Sequence, residues 1–152
     1  MSQLKKYPFV YLAALCAILA FGFFFLADVY CPTAEGTPIY VYGFTLAFGG
    51  ELQCTIGESV YSLAFSINIF ALVLLMCLFL SAVAALLSKE SVINRAVACA
   101  LAIAGGVLMF ILPSQVGQMG LRYAYGAFLC AGFAFGSALF DILAFFIRPK
   151  KA

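Results

Sequence analysis

The sequence predicts an all-α integral membrane protein: an antiparallel bundle of four transmembrane helices with a small extracellular β-hairpin in the loop between the first and second. Three observations lead there. The chain is 66% hydrophobic and only 9% charged over 152 residues, whereas soluble domains run near ~45–50% apolar and ~25% charged. Its apolar residues collect into long runs at 7–27, 60–87, 92–112 and 121–147, each able to cross a ~30 Å hydrocarbon layer at ~1.5 Å per residue. The basic residues other than Arg122 gather at three places: Lys5 and Lys6, Lys89 and Arg95, and Arg148, Lys150 and Lys151.

The first run follows two lysines, as a signal peptide would. A cut after Ala27 would place bulky Phe25 where a small residue is expected, and Asp28-Val29-Tyr30 does not suit lipoprotein cleavage before Cys31, so the run is read as a retained span. The second run, 60–87, exceeds what a bilayer requires and is expected to tilt or project. Ser88 to Ser91 is too short a link for anything but an antiparallel neighbour, and Ser91 is placed to cap the next helix. The third run ends at Pro113. A polar turn through Gly117 and Gly120 leads to the fourth run, which stops at Arg148-Pro149.

With four spans the termini share a side, and the three basic clusters place that side in the cytoplasm. The chain is then a single multi-pass domain, residues 1–152, of the cell (cytoplasmic) membrane, with lipid as its first partner. Two or three basic residues beside a helix are topology signals and not a nucleic-acid face. The chain has no histidine and no tryptophan. That removes His-based metal sites, His relays and His-base triads. No cofactor or metal is expected, and no enzyme activity.

The outer stretch 28–59 is the elaborated part, holding Asp28, Glu35, Glu51 and Glu58. Cys31 and Cys54 are the cysteines expected outside, and a bond between them would stabilise the loop by about 3 kcal/mol in the chain-entropy model. The others, Cys16, Cys77, Cys99 and Cys130, fall one per span as small apolar fillers. From Pro38 to Phe48 the residues alternate, so that Tyr40, Tyr42, Phe44, Leu46 and Phe48 share one face of a strand. Gly49-Gly50 turns the chain, and 51–56 returns as its partner. A competing reading makes Phe44 to Phe48 one helical turn capped by Gly49. The exposed aromatics are candidate partner contacts, or else a lid over the bundle.

Polar groups within the spans are few. Asp141 lies seven residues before Arg148, roughly 10 Å inside the end of helix four, and an intramembrane carboxylate is a functional candidate by default. Its simplest role is an ion pair with Arg95 or Lys89. Asn68, with Ser62 and Ser66 a turn apart, marks the outer half of helix two, for adhesion between helices or a polar cavity. Gly132 and Gly136 form a GxxxG for close helix packing. Arg122 is the outer cation, suited to Glu51 or Glu58, a lipid headgroup or an anionic ligand.

Four spans, a long first outer loop with strand character and a cysteine pair, and a short second outer loop resemble the claudin and tetraspan-like plan, here without that family's Trp-Gly-Leu-Trp signature. Gly43-Phe44-Thr45-Leu46-Ala47-Phe48-Gly49 followed by Phe65-Ser66-Ile67-Asn68 resembles small uncharacterised four-span membrane proteins of bacteria. That likeness implies a bacterial cytoplasmic membrane and no particular activity. The expected function is a non-enzymatic membrane protein whose outer loop contacts a membrane-protein partner or a second copy. The alternative is a small transporter or channel with Asp141, Asn68 and Arg122 as polar waypoints.

Overall fold

The computed structural model describes residues 7–33, 36–56, 59–88, 91–116 and 121–147. The structure is mostly helical. Four apolar helices, α1 (Pro8–Phe23), α3 (Ile69–Leu87), α4 (Val92–Gln115) and α5 (Tyr125–Phe146), pack as a ring, with α1 against α3 and α5 and α4 against the same two. A short helix, α2 (Gly43–Phe48), and five strands lie at one end. Strands β2 (Ile39–Tyr42), β1 (Ala27–Cys31) and β5 (Arg122–Tyr123) form an antiparallel sheet in that order. Strands β3 (Gly50–Ile56) and β4 (Ser59–Phe65) form a separate antiparallel ribbon.

Helices α3, α4 and α5 are each long and apolar enough to cross a membrane; α1 is apolar but has 16 residues. Their packing is inverted relative to a soluble bundle. Small residues face inward: Ala13, Ala17 and Ala20 on α1, Ser81 and Ala85 on α3, Ala98, Ala102 and Gly105 on α4, Ala131, Ala134 and Ala138 on α5. Large apolar side chains such as Leu15, Ile18, Met76, Val107, Phe128 and Leu139 face outward. Small inward residues let helix backbones approach closely, and outward apolar faces suit lipid. The arrangement is compatible with a membrane bundle. The larger core residues, Phe24, Leu46, Leu74, Leu78, Met109 and Leu112, collect in one cluster that includes residues of the sheet and α2, while Ala14, Ala17, Ala82, Ala85 and Ala98 form a second.

Several expected boundaries are corrected. The first helix stops at Phe23 and not at residue 27, because Ala27 already joins the sheet. The second begins at Ile69 and not at residue 60. Ser59–Phe65 alternates and pairs with β3, and Asn68 then caps α3 by accepting from the Ala71 N–H at 3.2 Å. Ser62 and Ser66 therefore do not share a helix face. Helix α4 runs through Pro113 to Gln115; a proline in the last turn removes one bond from the ladder and no more. Residues 121–123 precede α5 as an extended segment carrying β5.

The expected hairpin across Gly49-Gly50 is replaced. Strand β2 pairs with β1, not with β3, and Gly43–Phe48 is helical, as in the competing reading. Gly49, at φ 76°, ends that helix in a backbone conformation side chains disfavour. The true hairpin is β3–β4, with Leu52 and Leu63 in register and packed on the core. Ser91 accepts from the Asn94 N–H at 3.3 Å and caps α4 as expected.

Two kinds of glycine follow from this packing. A Cβ on Gly126 would stand 2.5 Å from the Ala27 carbonyl oxygen, and one on Gly43 would meet the Phe24 carbonyl still more closely. A Cβ on Gly132 meets nothing within 4 Å. Gly43→Ala and Gly126→Ala should each lower stability by about 2 kcal/mol or more, since backbone must move. Gly132→Ala should be neutral or stabilising by up to ~1 kcal/mol through helix propensity. Thermal unfolding of the three purified variants checks this ordering.

Candidate functional site

Strand β1 is where the helices and the sheet meet, and its centre is irregular. Ala27 pairs with Tyr42 and Val29 with Val41, so one extra residue, Asp28, is inserted as a β-bulge. A bulge re-aims a side chain and breaks alternation; Ala27, Asp28 and Val29 are all buried in succession. The Asp28 main chain remains bonded, its carbonyl accepting the Ala124 N–H at 2.8 Å.

The Asp28 carboxyl is driven into the junction. It is 0% exposed, and neither oxygen has a hydrogen-bond partner. Oδ2 lies against Gly43, the first residue of α2, and Oδ1 against Gly126 in the first turn of α5. Burial pushes its pKa up to about 9, because water has been removed without a compensating charge. The Cys130 thiol, also fully buried, lies within reach of its charge. No group of three or more acidic or cysteine side chains able to hold a metal occurs among the described residues.

At the other end of α5, Asp141 is equally buried, with both oxygens unpartnered. The expected ion pair with Arg95 does not form at bonding distance. The guanidinium instead donates to the Ala144 carbonyl at 2.9 Å and the Ser88 carbonyl at 3.4 Å, and stands 5.4 Å from the Phe145 ring centroid. Arg95 thereby ties α4 to the last turns of α3 and α5, leaving its Nε unpartnered. Its charge still acts on Asp141. Lys89, the other expected partner, lies outside the described residues.

The remaining candidates separate. Asn68 also donates to the Gln115 carbonyl at 3.2 Å, joining the start of α3 to the end of α4. It borders a small cavity with Leu46, Phe65, Ser66 and Val116. Gly136 faces Cys16 of α1, whereas Gly132 faces outward, so the GxxxG does not act as one packing motif. Tyr40, Tyr42, Phe44 and Phe48 are all exposed. Arg122 is exposed in β5, in register with Tyr30, and makes no ion pair among the described residues. Glu58, one of its expected partners, lies outside them, as do the basic residues at 5–6 and 148–151.

The expected Cys31–Cys54 disulfide finds no support among the described residues. Cys31 is a free thiol. It ends β1, in register with Ile39, while the Cys54 backbone lies midway along the other sheet, opposite Tyr61. Among the described side chains no cysteine pair stands at disulfide distance; the Cys54 side chain lies outside them. Asp28, the residue the sequence reading passed over as one loop acid among several, is the most unusual group in the junction. Its position at the edge of an apolar run was the available signal.

Three outcomes follow. Reductant should leave the melting temperature and the gel mobility of the protein unchanged. Arg95→Met should destabilise by about 2–3 kcal/mol, since two carbonyls lose a charged donor, and Arg95→Lys should restore little, a point charge being unable to span both. For Asp28, the unfolded carboxyl ionises above ~4 while the folded one keeps its proton to about 9. The folded state binds more protons in that window, so stability falls as pH rises, by up to about 1.4 kcal/mol per unit. Asp28→Asn should flatten that slope in thermal unfolding between pH 5 and 8.

Compared with models of protein families, with curated proteins and with solved structures, the chain matches none.

Proposed function

We propose that the chain is a four-span membrane protein with both termini in the cytoplasm, and that the sheet end of the bundle is an outward docking surface for another membrane protein. The observation that carries this reading is the exposed aromatic surface. Tyr40 and Tyr42 occupy the outward positions of β2, and Phe44 and Phe48 the outward positions of α2, their rings 4.9 Å apart. Tyr40, Tyr30 and Arg122 are in register across three strands, and the Tyr40 ring also meets Tyr125 at 6.1 Å. Tyrosine and arginine are the side chains that most often carry binding energy at interfaces.

The basic clusters at 5–6, 89–95 and 148–151 support a cytoplasmic side away from the sheet by the positive-inside rule. Transport by way of Asp141, Asn68 and Arg122 has less support. The Asn68 amide is engaged by Ala71 and Gln115, and Arg122 lies at the surface, which leaves Asp141 alone with unassigned polar atoms.

A photo-crosslinking residue placed at Tyr40 or Phe44 in native membranes should give a discrete protein adduct, and one at Leu139 on the outward face of α5 should not. Tyr40→Ala combined with Arg122→Ala should reduce the Phe44 adduct at least tenfold. An adduct of twice the chain's mass assigns the partner as a second copy. Labelling by lipid alone at Tyr40 and Phe44 would overturn the docking role.

A further inference from the structure

One side of the Asp28 junction is covered by a short helix flanked by glycines. Helix α2 has six residues and is bounded by Gly43 at its first position and by Gly49 and Gly50 after its last. Gly49 and Gly50 both take positive φ, so the segment has a glycine at each end, where a short element can swing. Its attachment at the first end is specific. The Gly43 N–H donates to the Leu26 carbonyl at 3.3 Å, and the absent Cβ of Gly43 leaves room for the Phe24 carbonyl and for Asp28 Oδ2. Leu46 and Ala47 are buried inward and Phe44 and Phe48 are exposed. Seating α2 is thus what covers one side of the Asp28 carboxyl, while Gly126 of α5 covers the other.

Among the described residues no counter-charge compensates that burial. In α1, residues 20–24 carry no ionisable side chain, and neither does α2. Tyr40 and Tyr42 of β2 point outward, as do Arg122 and Tyr123 of β5 and Tyr125 of α5. From α5 the buried Cys130 thiol lies near Asp28, and the buried Asp141 is at the other end of that helix. A carboxylate stripped of water, without a cation or a bonded N–H, is far less stable than a neutral carboxyl in the same place.

We propose that Asp28 is a proton-binding site that latches α2 onto the end of the bundle: α2 is seated while the carboxyl holds its proton, and lifts as the proton leaves. The reaction is a simple exchange. Opening admits water to Oδ2, the O–H proton passes to solvent, and the carboxylate stays hydrated; closing reverses each step. A carboxyl exposed in the open form titrates near ~4, and in the closed form near 9. Across that interval the ratio of open to closed α2 rises about tenfold for each pH unit. The latch therefore responds around neutrality, although neither limiting form titrates there. Because α2 carries Phe44 and Phe48, lifting would also rearrange part of the aromatic surface, but the latch itself does not depend on the docking role.

The test is amide hydrogen exchange on the full chain in lipid nanodiscs at pH 6, 7 and 8, read as protection factors so that the intrinsic pH dependence of exchange is divided out. In the wild type, protection over residues 43–49 should fall about tenfold per pH unit and lie well below that over residues 98–109 of α4, which exchange through opening of the whole bundle. In Asp28→Asn, protection over 43–49 should be independent of pH. A wild-type protection factor over 43–49 that does not change with pH would overturn the latch, whether or not the variant folds. So would protection over 43–49 equal to that over 98–109 at every pH, since α2 would then open only with the whole bundle.

Discussion

The structure depends on backbone meeting backbone at one bulged strand. Strand β1 continues directly from α1, lies between β2 and β5, and is approached by the first residues of α2 and the first turn of α5. Two of those approaches are too close for any side chain, so Gly43 and Gly126 are fixed by the carbonyls of Phe24 and Ala27. While α2 is seated, such contacts keep a polar side chain from solvent. Asp28 is buried because the backbone around it is tight, and the extra residue of the bulge is what turns it inward.

The two buried carboxyls of α5's surroundings illustrate opposite solutions to one cost. Asp141 has a cation nearby, although Arg95 gives its best hydrogen bonds to carbonyl groups. Asp28 has none, and neutrality through protonation is the remaining solution. Arg95 resembles a staple more than an ion-pair partner, since a planar donor can join the ends of two helices at once.

The long apolar runs made α3, α4 and α5 legible from sequence, because nothing but a buried or lipid-facing helix accommodates them. The boundary errors have one cause. Residues 60–65 are uncharged and mostly apolar, so a run of hydropathy merged strand β4 with α3; the period-2 alternation and the Asn68 cap were the discriminating signals. The aromatic alternation at 38–48 was real for Ile39–Tyr42 but masked a helix, since Gly43–Phe48 satisfies both periods over so short a length. The partner of a strand is set by tertiary placement, and nothing local told β2 to choose β1 over β3. A bulge likewise has no local sequence signature, which is why Asp28 read as an ordinary loop acid. The exposure of Tyr40, Tyr42, Phe44 and Phe48 was legible; the grouping of Tyr30, Tyr40 and Arg122 across three strands was not.

The pairing of β1 with β5 has a consequence for the order of events during synthesis. Val29 and Tyr30 find their partners in Tyr123 and Arg122, almost at the opposite end of the chain. A ribosome delivers β1 early and β5 late, at some 5–20 residues per second. For several seconds the β1 segment has only β2 beside it, and Gly126 is not yet present to close over Asp28. The carboxyl thus begins life hydrated and ionised, and takes up its proton only when the last helix docks. Arrival of α5 completes the sheet, closes the helix ring and neutralises the junction in a single step, so the nascent chain holds this carboxyl in water until there is a finished interior to receive it.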